Sequence, residues 1–120
     1  MKNKIYITSA CRTAVGSLGK SLKSIPSHML GSEVIKSSVK LTKINYEQID
    51  EVILGQVLTG GSGQNPARQA SINSGVPKEK PAYLVNQVCG SGLRSVVSGY
   101  QSIKNSDARL LLLVDKKICP

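Results

Sequence analysis

The residues best suited to chemistry fall in one stretch, Asn86-Gln87-Val88-Cys89-Gly90-Ser91-Gly92-Leu93. A cysteine thiolate is a strong nucleophile, and its surroundings decide whether it acts as one. Before the stretch lies a short apolar run, Tyr83-Leu84-Val85, set off by Pro81; after it, Leu93, Val96, Val97, Tyr100 and Ile103 recur on one face of a helix. This pattern places Cys89 where a strand ends and a helix begins. Unpaired backbone N–H groups and the positive end of the helix dipole favour negative charge at such a position. Gly90 and Gly92 remove side chains beside the sulfur, so backbone or substrate can approach closely. The bland alternative is a buried, inert cysteine at a helix start. The strand, Cys-Gly-Ser-Gly and helix context favours the nucleophile.

Other chemistries find less support. His28 is the lone histidine, and Cys11, Cys89 and Cys119 make an odd set without metal-like spacing, so no metal site is expected. The glycine-rich loop Thr59–Asn65 lacks the Gly-Lys-Ser/Thr ending of a phosphate loop and does not fit the dinucleotide spacing. Arg12, in the loop Ser9–Gly16, is placed to pair with a carboxylate or a carbonyl cluster. The net charge of +9 admits a nucleic-acid binder, a surface attracting a polyanionic cofactor, or a solvated lysine-rich surface. The lysines are scattered and no nucleic-acid motif accompanies them, which favours the solvated surface and argues against nucleic acid as a partner. Residues 1–10 lack the apolar run of a signal peptide and nothing is long enough to span a bilayer, so the expected setting is the cytoplasm, with no membrane partner.

The elements that must position Cys89 follow in chain order. Lys4–Thr8 alternates and predicts a first strand. Ser27 is the expected N-cap of a helix to about Lys43 with Leu30, Val34 and Leu41 on its apolar face. Asn45–Gln48 is a polar turn, open to being a short helical one. Glu51–Leu58 is a near-continuous apolar run, as in a strand buried on both faces. Gln64 or Asn65 caps a second helix with Pro66 in its first turn, running Ala67–Ile72 and stopping before Gly75; its small residues imply close approach to another element. Pro81–Val88 is a third strand, Gly90 to about Ser106 a third helix, and a fourth strand starts at Ala108. The order β-α-β-α-β-α-β predicts an α/β fold, a mainly parallel sheet covered by helices, with the nucleophile at the carboxyl end of a strand.

Three segments resemble the amino-terminal part of the thiolases, specifically the acetyl-CoA acetyltransferases: Ser9–Gly16, Val52–Leu58 continued by Gly63–Ala70, and Asn86–Leu93, which is similar to the family's acyl-enzyme signature. The resemblance extends over about Lys4 to Ala108. It implies that Cys89 takes an acetyl group from acetyl-CoA as a thioester, which the carbanion of a second acetyl-CoA then attacks to give acetoacetyl-CoA. It further implies coenzyme A thioesters as substrates without a bound cofactor, the Cys89 backbone N–H as an oxyanion donor, and a homo-oligomer for the full-length family. The family's activating histidine and proton-transferring second cysteine lie far downstream, and His28, Cys11 and Cys119 match neither motif. The residues that would hold coenzyme A are not assigned.

The end departs from the family. Thiolases continue with Ala-Gly-Gly-Gln-Glu-Asn/Ser-Met-Ser, whereas this chain has Leu113-Val114-Asp115-Lys116-Lys117-Ile118-Cys119-Pro120. Read one base earlier, codons for residues 111–120 become compatible with Ile-Val-Ala-Gly-Gly-Gln-Glu-Asn-Met-Ser. The expectation is a one-base frameshift near Arg109–Leu110 followed by an early stop. Residues 4–108 then form part of a thiolase amino-terminal domain, and 109–120 an out-of-frame tail on an inactive, truncated gene product. Two other readings stand beside this one. Cys89-Gly90-Ser91 matches the opening of a papain-type signature, but Gly92 and Leu93 replace its Cys and Trp and no histidine follows. A non-enzymatic basic interaction domain is the alternative from a different class, and salt-sensitive DNA binding would favour it.

Overall fold

The computed structural model describes residues 4–116. The central strand is β1 (Glu51–Gln56), flanked by β2 (Ala82–Val85) and β3 (Leu111–Lys116) in the order β2-β1-β3, all parallel. Val52 pairs with Ala82 on one side and Leu112 on the other. Val52, Ile53 and Leu54 are fully buried, so the continuous apolar run does mark a strand covered on both faces. Three helices cover the sheet: α1 (Ser27–Thr42), α2 (Pro66–Ser74) and α3 (Ser91–Lys104). The expected polar turn is a short 3₁₀ helix at Tyr46–Gln48, where the Asn45 N–H donates to Gln48 Oε1 at 2.8 Å.

Ile35 and Val39 of α1, Ala67 and Ala70 of α2, Val52 and Leu54 of β1, and Leu112 and Val114 of β3 form the main core. The α1–α2 contact uses small residues: Gly31, Ser32, Ala67, Ala70 and Ser71 are all buried there or beside it, as the composition of the second helix implied. The Asn65 side chain accepts the Arg68 N–H and donates to the Ala82 carbonyl, so one residue caps α2 and ties it to β2. Gly75 ends α2 at φ 107°, a conformation that favours glycine.

Several expectations need correction. Lys4–Thr8 forms no strand, and among the described residues the sheet has three strands rather than four. Alternation marks an amphipathic extended segment, but a strand also needs ladder bonds to a neighbouring strand, and this segment pairs with none; Tyr6 and Ile7 are 73% and 81% exposed. The third strand ends at Val85, because the chain turns sharply over residues 86–90. Ser27 is the first helical residue, with Pro26 at the cap position and no side-chain cap. The buried face of α1 carries Ser27, Gly31, Ser32, Ile35 and Val39, while Leu41 is 64% exposed.

Helix α3 reverses the simplest amphipathic expectation. It buries Ser91, Ser95 and Gly99 and leaves Leu93, Val96, Val97 and Tyr100 on its outer side. Close approach explains the choice. A Cβ added to Gly55 of β1 would lie 2.5 Å from the Ser91 carbonyl carbon, and one added to Gly99 would lie 2.7 Å from a Leu113 methyl. The small-residue face fits where the bulky face could not.

Asp50 fixes the start of β3. Its Oδ2 accepts the N–H groups of Arg109 at 2.7 Å and Leu110 at 3.1 Å, and its own N–H donates to the Leu110 carbonyl. The Arg109 N–H is the main cause that holds the Asp50 carboxyl below its ordinary value of 3.8, against partial burial, with the Leu110 N–H and the charges of Lys80 and Arg109 helping. A carboxylate depressed on folding contributes stability above its unfolded pKa and loses it as pH falls through the folded one. The expected result is a drop in the urea midpoint below pH 3.8 that is smaller in Asp50→Asn; equal acid sensitivity in the two proteins would contradict it.

Candidate active site

Cys89 lies between the end of β2 at Val85 and the start of α3 at Ser91, as the spacing implied, and its side chain is exposed. Cys89 is therefore not a buried cysteine. Two successive tight turns form the connection: the Gly90 N–H donates to the Gln87 carbonyl and the Ser91 N–H to the Val88 carbonyl. Asn86 Oδ1 accepts the Val88 N–H at 3.0 Å, a side-chain mimic of a backbone turn, while its Nδ2 donates to the Val57 carbonyl just beyond β1. Ser91 Oγ accepts the Gln87 N–H at 2.9 Å and donates to the Val88 carbonyl at 2.6 Å.

These bonds hold Val88 at φ 48°. A β-branched residue in the left-handed region is an outlier, and such strain persists only where surrounding bonds over-determine it. Asn86 and Ser91 supply those bonds from both sides. Sequence reasoning quoted both residues without giving them this role. The signal was present: an Asn two residues before a strained position and a Ser at the start of a helix are the residue types that bond to nearby backbone.

The elements beneath the turn set its height above the sheet. Because Gly55 has no side chain, the first turn of α3 rests on the backbone of β1. Asp115, at the carboxyl end of β3, crowds the same turn: a Cβ on Gly92 would fall 2.4 Å from its Cγ. The dipole of α3 is directed at this end of the sheet, where Cys89, Gly90 and the carboxyl ends of the strands meet.

The other sequence candidates do not join this site. Cys11 is half-buried against α1, its sulfur 3.0 Å from Ser38 Oγ and donating to the Val34 carbonyl at 3.4 Å, which makes it a packing residue. Arg12 is exposed and forms no ion pair among the described residues. His28 lies in the first turn of α1. Cys119 lies outside the described residues. A cavity of about 820 Å³ opens between residues 11–34 and the end of β3, and Cys89 does not line it. Among the described residues no helix is long and apolar enough to cross a membrane.

The chain is thus an α/β protein with a parallel sheet and an exposed cysteine on a tight strand-to-helix turn. Residues 5–115 match the family described as thiolase, N-terminal domain, and the chain belongs to that family. It is 50% identical over 108 residues to the acetyl-CoA acetyltransferase of Cupriavidus necator and 51% identical over 108 residues to that of Pseudomonas aeruginosa. Each match covers 90% of this chain, which spans 28% of the length of those curated relatives. Among solved structures it resembles Acat5 thiolase from Ascaris suum in complex with coenzyme A, with a TM-score of 0.75 and 36% identity; the match covers 78% of this chain and 24% of that one.

Proposed function

We propose that this chain derives from the amino-terminal part of an acetyl-CoA C-acetyltransferase, with Cys89 as the residue that accepts the acetyl group. The observation that carries the reading is the exposed Cys89 on a turn held by Asn86 and Ser91 at the start of α3. In the forward reaction the Cys89 thiolate attacks the carbonyl carbon of acetyl-CoA. The oxyanion forms beside the Cys89 backbone N–H, and coenzyme A leaves as its thiolate. The acetyl-cysteine thioester is then attacked by the α-carbanion of a second acetyl-CoA, which regenerates the Cys89 thiolate and gives acetoacetyl-CoA. Coenzyme A thioesters are substrates here, and no resident cofactor enters. The setting is cytoplasmic, and the full-length protein forms a homo-oligomer.

The second half of the cycle needs an acid and a base to move the α-proton. No described histidine or second cysteine lies at the turn that bears Cys89, so the 120-residue chain is proposed to lack sustained turnover. The boundary at residues 108–109 belongs to the same reading. Restoring the frame puts Ala-Gly-Gly at 113–115, and the side chain that now crowds Gly92 belongs to Asp115. Glycine there leaves the first turn of α3 open. Residues 117–120 of the tail lie outside the described residues.

The test is a coupled assay for acetoacetyl-CoA on the purified 120-residue chain. The expected rate equals that of its Cys89→Ala variant. A rate clearly above that control would show that the chain supplies its own base.

A further inference from the structure

We propose that Asn86 is a positioning residue for Cys89: its side chain holds Val88 in the left-handed conformation that sets the cysteine at the start of α3. The proposal takes its catalytic meaning from the reading of Cys89 as the acetyl acceptor. Val88 lies at φ 48° and is 65% exposed. A β-branched residue relaxes out of this region unless something opposes it. Burial does not oppose it here, because the side chain stands largely in solvent. The bonds to its backbone must do so.

Two residues share that task. Ser91 holds the carbonyl side of Val88, its Oγ donating at 2.6 Å and its N–H at 3.2 Å. Ser91 belongs to α3, so this end of Val88 moves with the helix. Asn86 holds the amide side. Its Oδ1 accepts the Val88 N–H at 3.0 Å, and its Nδ2 donates to the Val57 carbonyl at 3.1 Å. Val57 directly follows β1, so Asn86 links the strained residue to the central strand. The segment that receives this bond is itself held: Gln56, 1% exposed at the end of β1, donates from Nε2 to the Leu58 carbonyl at 2.7 Å. The torsions of Val88 thus lie between two fixed peptide groups, one tied to the helix and one to the strand.

Cys89 is the next residue, so the torsions of Val88 set its direction. With Asn86 in place, Cys89 stays at the positive end of the α3 dipole. Without it, Val88 relaxes to negative φ and carries Cys89 away from that end. In stability the two consequences oppose each other: bonds of an exposed side chain are lost, and the strain at Val88 is released. Asn86 therefore secures position more than stability. Glycine supplies the check, because it takes positive φ freely. Once residue 88 has no side chain, the turn no longer needs Asn86 to hold it.

Alkylation of the full 120-residue chain by iodoacetamide tests the proposal, with peptide mapping to read Cys89 apart from Cys11 and Cys119. Asn86→Ala slows Cys89 alkylation about fivefold, the worth of one charge at a helix end, while the urea midpoint stays close to the parent's. Val88→Gly removes the effect: the double variant reacts at the rate of Val88→Gly alone. Should Asn86→Ala fail to fold by far-UV circular dichroism, Asn86→Ser takes its place. Its hydroxyl still accepts the Val88 N–H but is too short to reach Val57, so the slowing is smaller and Val88→Gly again removes it. An unchanged rate in the folded Asn86 variant, or a slowing that persists with Val88→Gly, would overturn the proposal. Alkylation needs no acetyl transfer, so a failure of acetyl labelling at Cys89 would leave this result standing, and the two failures are distinct.

Discussion

In a full-length chain restored to the relatives' reading frame, Cys89→Ser lowers acetoacetyl-CoA formation on the order of a thousandfold or more. Serine keeps the size and the hydrogen-bonding capacity of the side chain but is far less ionised than a thiol. The exposed side chain makes few packing contacts, so the variant's urea midpoint stays close to that of the parent. Loss of turnover with retained stability separates a nucleophile from a packing residue. Cys11→Ser in the same chain provides the contrast. Cys11 packs on α1 through Val34 and Ser38, so its replacement shifts stability rather than turnover.

The second large effect is structural and lies beneath the site. Gly55→Ala destabilises the fold by about 3 kcal/mol, at the upper end for overpacking. The added Cβ would meet backbone atoms, the Ser91 carbonyl at 2.5–2.6 Å and the Gly92 nitrogen at 2.7 Å, so no side chain can swing aside. The first turn of α3 must lift from β1, and the bonds from Ser91 Oγ to Gln87 and Val88 lift with it. Chemical denaturation gives the stability loss, and the rate of Cys89 alkylation reports the displaced turn. By contrast, Gly60→Ala, where an added Cβ has open space, leaves both unchanged. A Gly55→Ala protein as stable as its parent would mean that α3 does not rest on β1 as described.

The sequence carried much of this fold because its strongest signals are local. The β1 run, the Asn65-Pro66 helix start, the Gly75 stop and the strand–Cys89–helix order all depend on residues within one element, and all appear in the structure. What misled was information that sits in neighbours. Lys4–Thr8 has the pattern of a strand but no paired edge among the described residues. The apolar periodicity of α3 was real, yet packing distance, set by Gly55 and Gly99, chose the opposite face for the sheet. The roles of Asn86 and Ser91 were hidden because their bonds to Val57, Gln87 and Val88 exist only once the turn is closed.

The tail shows the same limit from another side. Leu111, Leu112, Leu113 and Val114 have enough apolar character to complete a strand, and β3 forms with Leu112 and Val114 in the core. Being compatible with a strand is a weak demand that any apolar run of this length can satisfy. The demanding position is Asp115, where a charged side chain sits against Gly92 in the first turn of α3.

The central claim, that Cys89 carries the acetyl group, is tested most directly by peptide mapping of frame-restored, full-length protein incubated with radiolabelled acetyl-CoA and quenched in acid. The predicted result is one labelled peptide containing Cys89, with the label released by hydroxylamine as a thioester requires and absent from Cys89→Ala. Label on a peptide containing Cys11, with none on Cys89, would contradict the account.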